Sequence, residues 1–181
     1  MSDRTVFGTL SGHLIDLEDV HPDQLVITDI AHALALINRY NGHTPVPYSV
    51  AQHSVLVSFA CDPGDEQEAL MHDAREYLTG DLTRGLKNIP TIHEALGPID
   101  SDIHYWLALK FGFRYAMPAS VKLADDRVCA TEMRDLFNPP RGNRLLARGS
   151  VPLEQRIHPW PWEMAEMAFM HRFIELFGDV S

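Results

Sequence analysis

Repeated helix start and stop signals constrain the fold of this chain more than any other feature of its sequence. At three places a polar capping residue is followed three positions later by Glu or Gln, the pairing that satisfies free N–H groups at helix N-termini. These pairs are Ser49 with Gln52, Asp65 with Glu68, and Thr91 with Glu94. Glycines follow several apolar stretches of helical period, as they do at helix C-termini. The sequence therefore predicts an all-α fold.

The predicted helices follow one another through short connections, each bounded by a capping residue, a proline or a glycine. Their expected ranges are Thr28 to about Asn41-Gly42, Ser49 to about Ala60, Asp65 to Thr79 with Gly80 as its stop, Thr91 to Gly97-Pro98, Pro98 to Gly112, Pro118 to about Phe137, and Trp162 to Phe177. The segment before residue 27 is expected to form short strands or loop. Residues 138–161, rich in Pro, Arg and Gly, are expected to form a long irregular connection.

The last predicted helix is amphipathic. Ala165, Phe169, Phe173 and Leu176 share one stripe at helical spacing, and Gly178 follows the helix. A stripe of this kind faces the core of a globular protein. Together the segments predict a bundle of about six helices.

Composition fits one globular domain. The chain has 181 residues, of which 45% are apolar, and its formal net charge is −10. Such an acidic protein is not expected to bind a nucleic-acid backbone through its overall charge. An anionic substrate would require a metal ion and a few Arg and Lys side chains at the binding site. Cys61 and Cys129 lie in no paired motif and are expected to be free thiols in a reducing compartment. We expect no signal peptide, and no apolar stretch approaches the ~20 residues of a membrane span.

One segment carries an unusual set of ionisable residues. His72 and Asp73 are adjacent in an otherwise apolar stretch, and Glu76 lies four positions after His72, on the same helical face. His53 belongs to the preceding helix, which a short turn joins antiparallel to this one. A single His-Asp pair is common in proteins without a metal. However, burying such a pair without a partner is costly, and a bound metal would explain it.

The ligand pattern resembles that of the HD-domain phosphohydrolases, in which a His, then an adjacent His-Asp, then a distant Asp hold a metal. The matching residues here are His53, His72, Asp73 and Asp125. Helical periodicity does not decide between Asp125 and Asp126 as the last ligand. The family pattern of Ala-Asp and the more apolar neighbours favour Asp125, which leaves Asp126 as the alternative.

The resemblance extends to two groups within that family. His72-Asp73-x-x-Glu76 followed by Leu78 to Asp81 is similar to the bacterial 5'-deoxynucleotidases. Residues 29–34, 39–43 and 48–54 are similar to small phage HD phosphohydrolases, some of which are dATP triphosphohydrolases. The match covers roughly residues 8–137 and, more loosely, the last helix. It implies that residues 1–181 form a single-domain HD-type helical bundle with a short irregular or β N-terminal segment.

The resemblance also implies roles for the residues around the ligands. Glu76 and Asp81 are the expected catalytic residues, and the family pattern implies substrate contacts at Arg39 and His43. Position and chemistry add three expected contacts: Arg84 and Lys87, which follow Asp81 and could hold outer phosphates, and Tyr40, which could stack on a base. Simpler interpretations stay open for each of them. Glu76 could be a solvated helix carboxylate, Asp81 could cap a short helix, and the cations could be exposed surface.

The function that the resemblance implies is metal-dependent hydrolysis of deoxynucleotide phosphate esters. The best guess is a dATP or dNTP triphosphohydrolase that releases deoxynucleoside and triphosphate, with zinc, cobalt, manganese, nickel or iron as the ion. A second magnesium or cobalt ion accompanying the triphosphate is left open. We expect a homo-oligomer, dimer or hexamer, in the bacterial or phage-infected host cytoplasm, with no nucleic-acid polymer or membrane as partner.

Other functions compatible with the same pattern remain. The chain could be a 5'-deoxynucleotidase acting on monophosphates, because that reaction breaks the same kind of bond. It could hydrolyse a cyclic or signalling nucleotide, or be a catalytically idle HD protein that binds nucleotides. A purely structural metal site is disfavoured, since such sites are usually closed and rich in Cys.

Overall fold

The structure, a computed structural model, describes residues 5–137 and 150–179 of the chain. It opens with an antiparallel hairpin of β1 (Val6–Gly8) and β2 (Leu14–Asp16), as expected for this segment. Ile15 of β2 is fully buried in the main core. The hairpin turn is fixed to the helical body, because Ser11 donates from its backbone N–H to Asp29 Oδ1 at 3.0 Å.

Helices make up most of the remaining described chain, so the predicted all-α class with a short β segment is confirmed. The α-helices are α1 (Ile27–Leu36), α2 (Val50–Ala60), α3 (Glu66–Met71), α4 (Glu76–Thr79), α5 (Arg84–Lys87), α6 (Pro90–Phe111), α7 (Ala119–Asp135) and α8 (Trp162–Phe177). A short 3-10 helix covers Pro22–Gln24, and Arg39–Gly42 form a tight turn in which Tyr40 and Asn41 have positive φ values. Among the residues that the structure describes, no helix has the length and apolar character needed to cross a bilayer.

Helix α2 is the central element of the bundle. It packs against α1, α3, α7 and α8, and every residue from Val50 to Val55 is buried. A helix surrounded by other helices is buried on all its faces, not along a single stripe. Its start follows the sequence prediction, since the Ser49 side chain accepts from the Gln52 backbone N–H at 3.1 Å. Any polar side chain on α2 therefore points into the protein interior.

The buried apolar side chains form two clusters on either side of α2. The larger cluster joins α1, α2, α6 and α8, with Leu34, Leu107 and Phe169 among its fully buried members. The smaller one joins α2 and α7 and includes Val57 and Val128. The functional side chains described below lie on the elements that frame the smaller cluster.

The final helix matches its predicted range and stripe. Ala165, Phe169 and Phe173 are fully buried, and Leu176 packs against the same core as a partly buried residue. Helix α7 begins after Pro118 as predicted and ends at Asp135, two residues before the expected end. Both helices carry clear local signals, a proline at the start and an apolar face.

The first helix differs from its prediction at both ends. It begins at Ile27, so Thr28 lies inside α1 and does not cap it, and it ends at Leu36 instead of near Asn41-Gly42. The chain leaves the helix early because Asn38 pairs with Ser49 in an isolated β-bridge. The Val50 N–H also donates to the Ile37 carbonyl, at 3.1 Å. These non-local bonds replace the expected last turn of α1.

The predicted helix from Asp65 to Thr79 is interrupted. It divides into α3 and α4, with a tightened turn over residues 72–75 in which the Ala74 N–H donates to the Met71 carbonyl and the Glu76 N–H to the Asp73 carbonyl, both at 3.0 Å. The Asp65 carboxylate also does not cap α3, because it accepts hydrogen bonds from Arg114 and Ser120 instead.

The two predicted helices over residues 91–112 are one. Helix α6 runs without interruption from Pro90 to Phe111, with Thr91 inside it and Pro98 in its middle. Proline removes one backbone hydrogen bond from a helix interior. Here the helix continues past it, and its second half is anchored by the buried side chains of Ile103 and Leu107.

The predicted irregular connection over residues 138–161 is only partly described. Residues 138–149 lie outside the described residues, and residues 150–161 carry no helix or strand. The end of this segment is fixed to α2 by one side chain. Gln52 accepts from the Trp160 N–H at 2.8 Å and donates to the His158 carbonyl at 2.8 Å.

The predicted stripe of α8 leads to a stability prediction. Phe169→Ala removes a fully buried ring and should lower the free energy of unfolding by about 3–5 kcal/mol. Met167→Ala, on the exposed side of the same helix, should change it by less than about 0.5 kcal/mol. Urea denaturation followed by circular dichroism measures both. Equal effects would contradict the assignment of the buried face.

Candidate metal centre

Two histidines and two aspartates from three parts of the chain meet beside the smaller core cluster. His53 comes from α2, His72 and Asp73 from the tightened turn after α3, and Asp125 from α7. Asp73 Oδ2 lies 3.1 Å from His72 Nε2 and 3.9 Å from His53 Nε2, and Asp125 Oδ1 lies 3.1 Å from His53 Nε2. The four residues predicted as ligands are thus brought together.

The two imidazole rings present free nitrogens to the same region. Nε2 of His53 and Nε2 of His72 are both buried and have no hydrogen-bond partner among the residues that the structure describes. Each ring bonds through its other nitrogen: His72 Nδ1 donates to the Ala69 carbonyl at 2.7 Å. His53 Nδ1 lies 2.7 Å from Glu132 Oε1. This pattern puts the proton on Nδ1 and the lone pair on Nε2, as a metal ligand requires.

Buried imidazole nitrogens without a hydrogen-bond partner, placed next to carboxylates, form a suitable binding site for a divalent cation. A buried polar atom without a partner costs about 1–3 kcal/mol, so two such atoms at one point call for a shared partner. Both nitrogens belong to imidazole, and the neighbouring groups, Asp73 beside His72 and Asp125 beside His53, are carboxyl groups. Mixed nitrogen and oxygen sites of this type accept zinc, cobalt, manganese, nickel and iron(II).

The tightened turn brings both members of the His-Asp pair to the site. In a regular α-helix, adjacent side chains diverge by about 100° around the axis. Over residues 72–75 the backbone instead bonds at a three-residue spacing, and His72 Nε2 comes within 3.1 Å of Asp73 Oδ2. The interruption of the predicted helix is therefore a feature of the site itself.

The ambiguous carboxylate pair on α7 is also separated in space. Asp125 contacts His53 and lines the cavity described below. Asp126 is not among the described residues that line that cavity. The neighbouring charges act strongly on Asp125: burial raises the pKa of its carboxyl, but His53 outweighs burial and holds the pKa well below the ordinary value.

A cavity of about 420 Å³ opens beside the four residues. It is lined by Asp73, Glu76, Asp81 and Asp125, by Arg39, Arg75, Arg84 and Lys87, and by Tyr40, Leu82, Thr83, Cys129 and Met133. Its volume lies in the range of small-molecule sites in proteins. Cationic and acidic side chains thus share one concave surface with an apolar wall.

Two arginines at the cavity, Arg39 and Arg75, are held by specific acidic partners. Arg39 is buried and places Nη1 3.7 Å from Asp73 Oδ2 and Nη2 3.3 Å from Glu132 Oε2. Arg75 lies 3.6 Å from Asp73 Oδ1 and is held from behind by Asp100, at 3.4 Å. Arg75 was not predicted as a site residue, since its position next to Glu76 indicated only a surface pair.

The remaining predicted cations lie on α5. Lys87 donates from Nζ to Glu76 Oε1 at 2.8 Å, so it pairs with the predicted catalytic carboxylate. Arg84 is exposed and also lines the cavity. Asp81 lines the cavity as well. Helix α5 starts after Thr83, so Asp81 is not the cap of a short helix there.

Glu76 is buried on the cavity wall. Its Oε1 accepts from Lys87, while Oε2 has no hydrogen-bond partner among the described residues. Burial and the charge of Asp73 raise the pKa of Glu76 to about 8, despite the opposing effect of Lys87. A carboxyl group with this pKa can hold a proton at neutral pH and can also release it.

The other two predicted substrate contacts are placed differently from each other. Tyr40 lines the cavity, and its hydroxyl donates to Glu132. His43 is exposed on the loop that follows and does not line the cavity among the residues described. The structure thus brings Tyr40 to the site and leaves His43 outside it.

Glu132 is the residue that sequence reasoning missed. It lies on α7, is fully buried and accepts the hydrogen bond from His53 Nδ1. A signal was present in the sequence, because Val121, Asp125, Val128 and Glu132 share one helical stripe. A second carboxylate on a stripe that contains a predicted ligand and apolar residues indicates a buried partner for the site.

The charges around His53 show why this pocket suits a cation. Burial and Arg39 lower the pKa of His53, yet the two carboxylates of Glu132 and Asp125 prevail and raise it to about 9. Likewise, burial raises the pKa of Asp73, but His72 and Arg75 hold it well below its ordinary value. Anionic oxygens that stabilise a proton on a buried imidazole also stabilise a metal ion in its place.

Fold and site together define a small helical protein with a two-histidine, two-carboxylate cluster above a cavity lined by charged side chains. No protein-family model matches the chain. It is 40% identical to the uncharacterized protein YfdR of Escherichia coli K12 over 129 residues, which cover 71% of this chain and 70% of YfdR. The chain therefore belongs to the same family as YfdR. It is also 40% identical over 124 residues to an uncharacterized protein of Rhodobacter capsulatus, and the match covers 64% of this chain and 62% of that protein's length.

The ligand geometry predicts the outcome of removing one ligand. His72→Ala and Asp73→Ala should each abolish metal retention, because each removes one of the groups that converge on the site. His171→Ala, an exposed position on α8, is the matched control and should retain the metal. Mass spectrometric metal analysis after stripping, reloading and desalting measures retention. Full occupancy in both ligand variants would refute the proposed ligand set.

The two aspartates on α7 provide a second test of the site. Asp125→Asn should lower metal affinity by at least 10-fold, because it replaces a carboxylate that contacts His53. Asp126→Asn is the isosteric control one residue away and should leave the affinity within about twofold. Competition with a chromophoric chelator gives both constants. The opposite ranking would make Asp126 the ligand.

Proposed function

We propose that this protein is a metal-dependent phosphohydrolase that cleaves phosphate esters of deoxynucleotides. The observation that carries the proposal is the pair of buried, unpartnered Nε2 atoms of His53 and His72, set against two carboxylates at a cavity wall. His53, His72, Asp73 and Asp125 would hold the ion. When bound, a divalent ion would acidify a water molecule and offset the negative charge of the phosphate.

The cationic side chains of the cavity support an anionic substrate. The protein as a whole carries a formal charge of −10, so bulk electrostatics would repel a phosphate. In the cavity lining, Arg39, Arg75, Arg84 and Lys87 balance four acidic side chains, and a bound divalent ion would make the charge there positive. A guanidinium also offers paired N–H donors that match phosphate oxygens. Tyr40 and Met133 provide an apolar wall on which a base could rest.

Glu76 is the proposed proton-transfer group. In the hydrolysis, a water oxygen bonds to phosphorus, the bond from phosphorus to the 5'-oxygen breaks, and the 5'-oxygen gains a proton. Glu76 lies on the cavity wall with Oε2 unpartnered among the described residues, so its carboxyl group can exchange a proton with a water molecule in the cavity. Lys87 holds Oε1, which fixes the direction of the carboxyl group. Asp81 lies on the same wall and is proposed to orient the water or the sugar.

Triphosphates and monophosphates present the same scissile bond, so the two candidate substrates differ only in the outer phosphates. We propose a dNTP, with dATP as the best single choice, because Arg84 lines the cavity and is exposed, so its guanidinium can meet an outer phosphate. Lys87 is already paired with Glu76, so it is not available to an outer phosphate. This pairing favours a monophosphate substrate and makes 5'-deoxynucleotidase activity the second candidate. Both reactions belong in the cytoplasm, where deoxynucleotides are found.

Glu76→Gln tests the proton-transfer role. The variant should keep its metal and lose roughly 10²–10⁴-fold in turnover, the usual contribution of a general acid or base. Glu163→Gln, the same change at an exposed position on α8, should leave turnover unaltered. The measurement is steady-state release of phosphate or triphosphate, together with metal content. Unchanged turnover in Glu76→Gln would remove Glu76 from the mechanism.

A substrate screen tests the function itself. Purified protein loaded with zinc, cobalt, manganese, nickel or iron should hydrolyse at least one deoxynucleoside mono- or triphosphate, with products identified by chromatography. If a triphosphate is the substrate, Arg84→Ala should raise KM for dATP more than for dAMP, because only dATP places charge near that side chain. Equal changes in the two KM values would put the monophosphate first. No hydrolysis of any substrate with any metal would overturn the proposal.

A further inference from the structure

Glu132 is completely buried, and both oxygens of its carboxylate have polar or charged partners. Its Oε1 lies 2.7 Å from His53 Nδ1 and accepts from the Tyr48 hydroxyl at 2.8 Å. Its Oε2 accepts from the Tyr40 hydroxyl and lies 3.3 Å from Arg39 Nη2. An ionised carboxylate in the interior needs such partners, because burying an unpaired charge is strongly unfavourable. Glu132 is therefore fixed in one orientation by four neighbours.

These neighbours belong to two different parts of the site. His53 is a proposed metal ligand, and Arg39 and Tyr40 line the cavity in which the substrate is proposed to bind. Tyr48 does not line that cavity among the described residues. One carboxylate thus joins the metal side of the site to its substrate side, with one oxygen serving each.

The substrate side is a strained turn. Tyr40 and Asn41 have φ values of 58° and 51°, a left-handed conformation that non-glycine residues rarely adopt. Such a conformation costs about 1–3 kcal/mol and persists only where surrounding contacts hold it. The Tyr40 hydroxyl bond to Glu132 and the edge-to-face contact of its ring with Phe137, at 5.1 Å, are contacts of that kind. Arg39 precedes Tyr40 directly, so the same contacts fix where Arg39 reaches.

We propose that Glu132 is a positioning residue that couples the metal ligand His53 to the substrate-facing turn Arg39–Gly42. The proposal rests on the function given above and adds a role for a residue that touches neither metal nor substrate. Through Oε1, Glu132 holds the His53 ring with Nε2 towards the ion. Through Oε2, it holds Arg39 and Tyr40 in the conformation that faces the cavity.

Three substitutions separate the two arms of this arrangement, which are the contact of Glu132 Oε1 with His53 and the contacts of Oε2 with Arg39 and Tyr40. Glu132→Gln keeps the side-chain volume and removes the charge that both arms share. Tyr40→Phe removes only the hydroxyl bond on the turn side. Tyr48→Phe is the matched control, because it removes a hydroxyl bond to the same carboxylate from a side chain outside the cavity.

Each variant is measured in three ways. Zinc affinity of the metal-free protein is obtained by competition with a chromophoric chelator, at the same pH for every variant. Hydrogen exchange of the peptide covering residues 38–43 reports how firmly the turn is held. Steady-state kinetics separate KM from kcat.

Glu132→Gln should weaken zinc binding by about 10–100-fold, the usual loss when the partner of a metal-bound histidine is removed. It should also accelerate exchange in residues 38–43 and raise KM. Tyr40→Phe should accelerate exchange and raise KM severalfold, with zinc affinity and kcat within about threefold of the original protein. Tyr48→Phe should change exchange and KM less than Tyr40→Phe does.

Two results would overturn the coupling. One is a Glu132→Gln variant that loses zinc affinity while exchange in residues 38–43 stays unchanged. The other is a Tyr40→Phe variant that behaves like Tyr48→Phe in exchange. Because exchange is measured without substrate and in both metal-free and zinc-loaded protein, it tests the turn even if no nucleotide is hydrolysed. Where Glu132→Gln does not fold, the two tyrosine variants decide the question.

Discussion

The structure depends on the burial of one imidazole between two carboxylates. His53 lies on a helix that four others surround, and its two nitrogens face Glu132 and Asp125. A proton or a metal at Nε2 of this imidazole offsets the charge of the two carboxylates, together with Arg39, which pairs with Glu132. The elements that carry His72, Asp73, Arg39 and Tyr40 all converge on this point. The site is therefore part of the core and is not an addition to its surface.

Parts of this arrangement could be read from the sequence because their causes are local. The Ser49 cap fixes where α2 starts, and the stripe of Phe169 and Phe173 fixes which face of α8 is buried. Both signals depend on neighbours within one or two helical turns. The set of His53, His72, Asp73 and Asp125 was expected only from the resemblance of the motif to a known family, because no local signal links residues so far apart in the chain.

Other parts could not be predicted, since their causes are distant along the chain. The early end of α1 follows from the pairing of Asn38 with Ser49, and the left-handed turn at Tyr40 is held by Glu132, 92 residues away. The tightened turn at residues 72–75 interrupts a segment whose helical pattern is continuous. Two local signals gave wrong helix boundaries. Pro98 was expected to separate two helices but lies within α6. Asp65 was expected to cap a helix, but its carboxylate accepts from Arg114 and Ser120 instead of a backbone N–H.

In the proposed metal centre, Nε2 of His53 and Nε2 of His72 bind one divalent ion together with Asp73 and Asp125. X-ray absorption spectroscopy at the metal edge of zinc- or cobalt-loaded protein identifies the atoms around the ion. This ligand set predicts nitrogen and oxygen neighbours at about 2.0–2.2 Å, with scattering from two imidazole rings and no sulfur. A sulfur ligand at about 2.3 Å, which would come from Cys129, would contradict it, as would the absence of imidazole scattering.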